Sequence, residues 1–324
     1  MTYEVISRNR KQLMGFAALW IAFLHAAMWF RFPVLQAFKL TGYCGVDLFM
    51  FLSSFGLYHS YKYGKKGYIP FVIRRLKRIM PAYMLISLLR SFIYHDSAGD
   101  AVLRLTTLSF WLKGDTSMWF VAAVLPLYLL SPLYLKYFHG GREEKMTAAG
   151  FTAGLLLGVI FRYYKQNVLF FRLCVFFLGF LAGKYSDEKK PVSRAVLFTG
   201  TVIMIVTLAI AVGGQLSGID LETVHLGWAV FWLPAMFFTG PLAFWLSYLF
   251  EKTGILSAGL GRLGEVSLEF YLLFELMIFV GGRFVVIPAP FDYHGIIFNV
   301  LTMIVTCGLS RLLLKAERMI LHRE

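Results

Sequence analysis

Charge is what this chain has least of. Only 15% of its 324 residues are Asp, Glu, Lys or Arg, while 58% are apolar and the mean hydropathy is +0.67. A soluble globular domain carries about 25% charged residues, so that class is excluded and an integral membrane protein follows. Acidic residues are the scarcer sign, 18 against 32 basic ones. The resulting excess of +14 forms no folded basic face, so no nucleic-acid partner is expected. The basic residues fall in short clusters between apolar runs, where anionic headgroups of the lipid bilayer are their natural partners. Cysteine is nearly absent: Cys44, Cys174 and Cys307 stand singly in or beside apolar segments. They give neither a disulfide framework nor a metal-ligand spacing, and no metal is expected.

What the chain does have is long apolar runs. A helix needs about 20 predominantly apolar residues to cross the hydrocarbon core. Ten stretches qualify, at approximately 12–30, 44–61, 79–94, 117–135, 147–163, 167–183, 195–213, 226–249, 264–282 and 294–313. The first lacks a clear cleavage site and reads as a retained helix. Residues 101–114 are too short and polar to span and read as an amphipathic piece in the third loop. Lys and Arg concentrate in the N-terminus, the even-numbered loops and the C-terminus, including "KYGKKGYIPFVIRRLKR" and "KYSDEKKPVSR". That bias predicts an all-α polytopic protein of about ten transmembrane helices with both termini cytoplasmic. No internal repeat or low-complexity stretch divides it, so residues 1–324 read as one membrane domain.

Ionisable groups at membrane depth are costly and mark pathways or sites. Four stand out: His25, Asp47, Arg172 and Glu275. His25 lies about five residues below the outer end of the first helix, and Asp47 near the outer end of the second, so their depths match. Helices joined by a short loop are commonly neighbours, and a carboxylate on one ring nitrogen would fix the tautomer and raise the basicity of the other. The competing reading is a histidine satisfied by a backbone carbonyl. Arg172 either binds an anion or oxyanion or snorkels to headgroups. Trp119 opens the fourth helix where an interfacial aromatic belt also predicts tryptophan. Glu275, near the middle of the ninth, stays protonated or finds a partner. Arg74, Arg75, Lys77 and Arg78 crowd the cytoplasmic mouth of the third helix, as phosphate-binding forks or as anchors on anionic lipid.

Together these stretches resemble the acyltransferase-3 family of bacterial multi-spanning membrane O-acyltransferases. "MGFAALWIAFLHA" is similar to that family's first-helix pattern and aligns His25 with its catalytic histidine; "GYCGVDLFMFLSSFGLYHSY" aligns Asp47; "FVIRRLKRIMPAY" aligns Arg74, Arg75, Arg78 and Pro81; "MWFVAAVLPLYLLSPL" and "LGEVSLEFYLLF" resemble later segments. Two positions depart. Met14 stands where the family has arginine, with Arg10 one turn earlier, and Phe274 replaces a histidine, with Glu275 beside it.

The resemblance implies an enzyme of the bacterial plasma membrane that moves an acyl group, acetyl or succinyl, from cytoplasmic acyl-CoA to a hydroxyl of a cell-surface or lipid-linked polysaccharide. Arg74, Arg75 and Arg78 would hold the CoA phosphates, and His25, supported by Asp47, would act as general base. Trp119, Arg172 and Glu275 remain substrate or oxyanion candidates. The alternatives are a glycan or lipid exporter, whose buried ionisable residues would line a conduit, and a non-catalytic component of a polysaccharide assembly system.

Overall fold

Apolar segments in lipid satisfy their backbone groups only as helices or closed barrels, and this chain takes the helical solution. Its computed structural model describes residues 2–26, 28, 30–64, 67–218, 232–281 and 293–320. Among them no strand forms, and Thr2 meets Pro191 in an isolated bridge. A short α1 (Glu4–Arg8) leads at Asn9 into α2 (Arg10–His25), which stops where Ala26 turns extended. Then come α3 (Pro33–Leu40) and α4 (Tyr43–Tyr63). The small α3 is absent from the sequence expectation; Pro33 starts it, its fixed φ being preorganised for the first helical turn.

Further along lie α5 (Tyr68–Tyr94), the short α6 (Ala98–Leu105) and α7 (Leu108–Lys113), then α8 (Trp119–Tyr137) and α9 (Glu143–Ile160). The expected amphipathic piece at 101–114 is thus two short helices folded back on α5 and α8, the start of the first fixed by Ser97 Oγ, which accepts the Asp100 N–H. The chain continues through α10 (Asn167–Phe170), α11 (Arg172–Asp187), α12 (Arg194–Leu216) and α13 (Leu233–Lys252). Last are α14 (Gly254–Gly264), α15 (Ser267–Gly281) and α16 (Tyr293–Ile320). The eighth loop of the sequence reading is therefore mostly the helix α14, which lies along α2.

Each of the ten predicted stretches overlaps one helix of 15 residues or more. The start of the eighth stretch, 226–231, lies outside the described residues, as do positions 27, 29 and 282 and the chain's last four residues. Six spans of the described chain are long and apolar enough to cross a bilayer by themselves: Pro33–Tyr63, Trp119–Tyr137, Asn167–Asp187, Arg194–Leu216, Leu233–Lys252 and Gly295–Met319. At 16 and 15 residues, α2 and α15 are shorter than a full crossing; α5 and α9 carry clustered charge at one end.

The bundle is built around α4. Nearly every side chain from Cys44 to Phe55 is buried, the mark of a helix that is apolar all round. It packs between α2 and α11, and glycine permits the contact: a Cβ on Gly179 would collide with Ser54 and the Phe51 carbonyl. On the other side of α2, Gly15 and Gly264 bring α2 and α14 together backbone to backbone. The periphery is apolar. On α12 the exposed residues include Phe198, Val202, Ile205 and Ile210, and on α16 Ile297, Leu301 and Ile304, as a lipid-facing surface requires.

Candidate active site

A cavity of ≈ 610 Å³ runs alongside α2, walled also by α4, α5, α8 and α15. Arg10, near the start of α2, and His25, at its end, both line it. Fifteen residues of helix separate them, roughly 22 Å, so the cavity joins a basic end to a histidine end. Met14 and Ile21 lie between on the same wall.

At the basic end Arg10, Lys11, Arg75, Arg78 and Arg318 line the space. The Arg10 guanidinium reaches across to α4, where Nε donates to the Leu52 carbonyl at 3.2 Å in a notch that only the missing side chain of Gly56 leaves open. Arg10 thus occupies the cavity wall one turn before Met14, the position where the family pattern has its arginine. Arg75 lies over the Phe71 ring with its Nε unpartnered. Arg78 differs from the expectation of a phosphate fork. Its guanidinium makes a bidentate pair with the fully buried Glu269 of α15, and Glu317 of α16 lies 3.9 Å away. Arg74 is not on the cavity wall; its guanidinium lies beside Gly64. Of the three expected phosphate ligands, Arg75 alone presents a cation to the cavity with no carboxylate partner among the described residues.

At the other end His25 is exposed into the cavity, and among the described residues no hydrogen bond reaches its ring. It also lines a narrow crevice of ≈ 10 Å³ together with Tyr271, Phe274 and Glu275 of α15. Glu275 Oε1 accepts the Met118 N–H at 2.7 Å, and the Tyr271 hydroxyl, one turn earlier on α15, interacts with the same carboxyl group. Met118 has φ 53°, a left-handed conformation uncommon for a residue with a side chain, and the Glu275 bond holds it there. Trp119 follows and begins α8 on the cavity wall.

Asp47 corrects the sequence reading. Among the described residues no hydrogen bond or ion pair joins it to His25, and Asp47 does not line the cavity. Its Oδ1 lies 3.7 Å from Arg172 Nε instead. The reason is level and azimuth together: Gly42 meets Leu24 and Gly45 meets Ala17 and Ile21, so Asp47 sits deeper than His25, and with α2 on one flank of α4 and α11 on the other it projects toward α11. Arg172 is buried, not snorkelled; it donates to the carbonyls of Val168 and Tyr43, and its guanidinium lies 5.4 Å from the rings of both Trp119 and Trp232. Asp47 therefore reaches the cavity only through Arg172 and Trp119.

Further polar residues shape this end without having been singled out in the sequence. Arg104 pairs with Asp96 at 3.2 Å and with Asp115, and donates to Ser117 Oγ at 2.8 Å; Tyr83 Oη donates to the Arg104 carbonyl at 2.7 Å. Ser117 also caps the Asp115 carboxylate with its hydroxyl and its N–H. This cluster fixes the turn that delivers Met118 and Trp119. The glutamate Glu269, which neutralises Arg78, was equally hidden. Their types and positions look like ordinary loop and helix-end polarity, and no local pattern names their partners.

A family model described as an acyltransferase domain, Acyl_transf_3, matches residues 13–315. Compared with curated proteins and with solved structures, the chain matches none. The matched region takes in the cavity wall except Arg10, Lys11 and Arg318, and with its apolar helices the chain belongs to the acyltransferase-3 family of membrane acyltransferases.

Proposed function

We propose that the chain transfers an acyl group from acyl-CoA to a hydroxyl of a cell-surface or lipid-linked saccharide, with acetyl and succinyl as the donors to test first. The observation that carries this reading is the one cavity that contains both the basic end at Arg10 and Arg75 and the imidazole of His25. An amphiphile with phosphates at one end, a long arm and a reactive thioester at the other matches that distribution of charge. In this reading the basic end faces the cytosol and the histidine end faces outward in a bacterial plasma membrane, in keeping with the bias of Lys and Arg along the sequence.

The chemistry assigned to the chain is simple. A nitrogen of His25 takes the proton of the acceptor hydroxyl as its oxygen attacks the thioester carbonyl. Collapse of the tetrahedral adduct breaks the C–S bond, and the imidazolium returns the proton to the departing thiolate, so an ester and free CoA leave. An attack by His25 itself, giving a transient acyl-imidazole, uses the same geometry. Glu275, across the crevice, is the acidic neighbour of His25 in this account; the part of Asp47 is to hold Arg172 and, through it, Trp119.

The test is acyl-CoA turnover by purified protein in lipid nanodiscs with a saccharide acceptor. Thiol release and ester formation in wild type, both lost in His25→Ala, support the reading. Glycan movement across vesicles without thiol release would replace it with an exporter, and neither activity with partner binding intact would leave an assembly component.

A further inference from the structure

Arg311, Lys315 and Arg318 recur at i, i+4 and i+7 on α16 and so share one face. All three are exposed, as is Arg262 of α14, and the four line a groove of ≈ 220 Å³ between α14 and α16 with Val266 and Leu314. Cations gathered on one concave surface repel each other unless an anion lies among them. Other basic residues are already neutralised: Arg78 by Glu269, Arg8 by Glu251, Lys62 by Asp187. Among the described residues none of the four groove cations has an ion-pair partner. The acid on the groove wall, Glu265, is held by Lys11 Nζ at 2.6 Å.

The groove is also placed to share a ligand with the main cavity. Glu265 and Arg318 line both, so the groove opens beside the basic mouth. That mouth is short of free cations, because Arg78 is occupied by glutamate and Arg74 lies off the wall.

We propose that this groove binds the phosphate group of an amphiphile whose remainder lies at the cavity mouth. Two sources present that chemistry, the nucleotide phosphates of CoA and the phosphodiester headgroup of an anionic lipid. The first rests on the acyl-CoA reading above; the second does not. Arginine forks on phosphate give charge-assisted bonds, and lysine adds a point charge.

The experiment compares the full-length wild type, Arg311→Gln/Lys315→Gln and, as an off-site control, Lys145→Gln. Radiolabelled CoA binding is measured in zwitterionic nanodiscs over a salt series, and phosphatidylglycerol retention in mixed-lipid vesicles. For CoA, the double variant binds about tenfold more weakly with a shallower salt dependence, and Lys145→Gln matches wild type. For a lipid headgroup, CoA affinity stays at the wild-type value and retained phosphatidylglycerol falls instead. Wild-type values for both ligands in the double variant overturn the proposal. If its melting curve shows misfolding, the single variant Arg262→Gln, on the opposite wall, decides in its place. Absence of CoA binding in wild type would defeat the donor reading, and the lipid arm alone would then decide the groove.

Discussion

Asp47 Oδ1 lies 3.7 Å from Arg172 Nε, and the same guanidinium lies against the rings of Trp119 and Trp232. Both partners are almost fully buried. Removing one partner of such a pair strands the other's charge, at a cost of roughly 3–5 kcal/mol, whereas replacing both by apolar groups of similar volume is far milder. Asp47→Asn and Arg172→Met are each expected to lower the thermal midpoint sharply in detergent, and the double variant Asp47→Leu/Arg172→Met to recover much of it. A general-base partner would behave otherwise: Asp47→Asn would keep its stability and lose only activity.

Among the described residues His25 has no hydrogen bond to lose. His25→Ala should therefore leave the melting temperature close to wild type while cutting thiol release from acyl-CoA by roughly 10²- to 10⁴-fold, the usual worth of a positioned acid–base group. Paired melting and turnover measurements on one preparation check both halves of the statement.

Arg75 and Arg78, three residues apart on α5, should separate cleanly. Arg78→Gln leaves the fully buried Glu269 unpaired, costing roughly 3 kcal/mol, toward the low end for buried pairs because Arg78 itself is partly exposed. Arg75→Gln removes a cation with no acidic partner among the described residues, so stability should hold while CoA affinity drops about tenfold. Denaturation midpoints and equilibrium CoA binding on the two variants read this out; equal effects of both on binding alone would return Arg78 to the phosphate site.

The close crossing of α2 and α14 also has a consequence for the cavity. A Cβ at Gly264 would fall on the Lys11 carbonyl and one at Gly15 on the Leu260 carbonyl, both rigid backbone atoms. Gly264→Ala must push the helices apart and cost about 1–3 kcal/mol. Because Arg10 and Lys11 ride on α2, CoA affinity should fall with it, as measured by binding at a temperature where the variant remains folded.

Asp115, in the turn before α8, carries a pH prediction. Burial pushes its carboxyl up, but hydrogen bonds from the Ser117 hydroxyl and N–H, with the charges of Arg104 and Arg90, hold it below its ordinary value. A depressed folded value contributes stability that is present above the unfolded value of about 3.9 and is lost as pH falls through the folded one. The wild-type melting temperature should thus decline below about pH 4, and Asp115→Asn should flatten that part of the curve.

Much of the fold was legible because its cause is one-dimensional. Runs such as "LFTGTVIMIVTLAIAVGG" announce a lipid-exposed helix without reference to anything else, and α12 is that helix. Depth and azimuth between helices were not legible: rise per residue places His25 and Asp47 at one level, but α4 meets α2 with Gly42 at Leu24 and Gly45 at Ala17 and Ile21, which sets Asp47 deeper. Whether Asp47 turns toward α2 or α11 depends on a partner 125 residues away, and the pairing of Arg78 with Glu269 spans 191. Arg104 and Asp115 went unremarked for a related reason: each looks like loop polarity until α6 and α7 fold back and bring them together, beside Arg90 near the end of α5. The small helices α3 and α14 were missed because they are shorter than a crossing and sit where loops were expected.

The most direct test of the cavity as the donor's path is a cryo-EM structure with a non-transferable acyl-CoA thioether bound. The account predicts phosphates at the Arg10 and Arg75 end, the arm along α2 past Met14 and Ile21, and the carbonyl group beside the His25 ring. Phosphates away from that end, or a carbonyl that stays outside the cavity with His25 untouched, would contradict it.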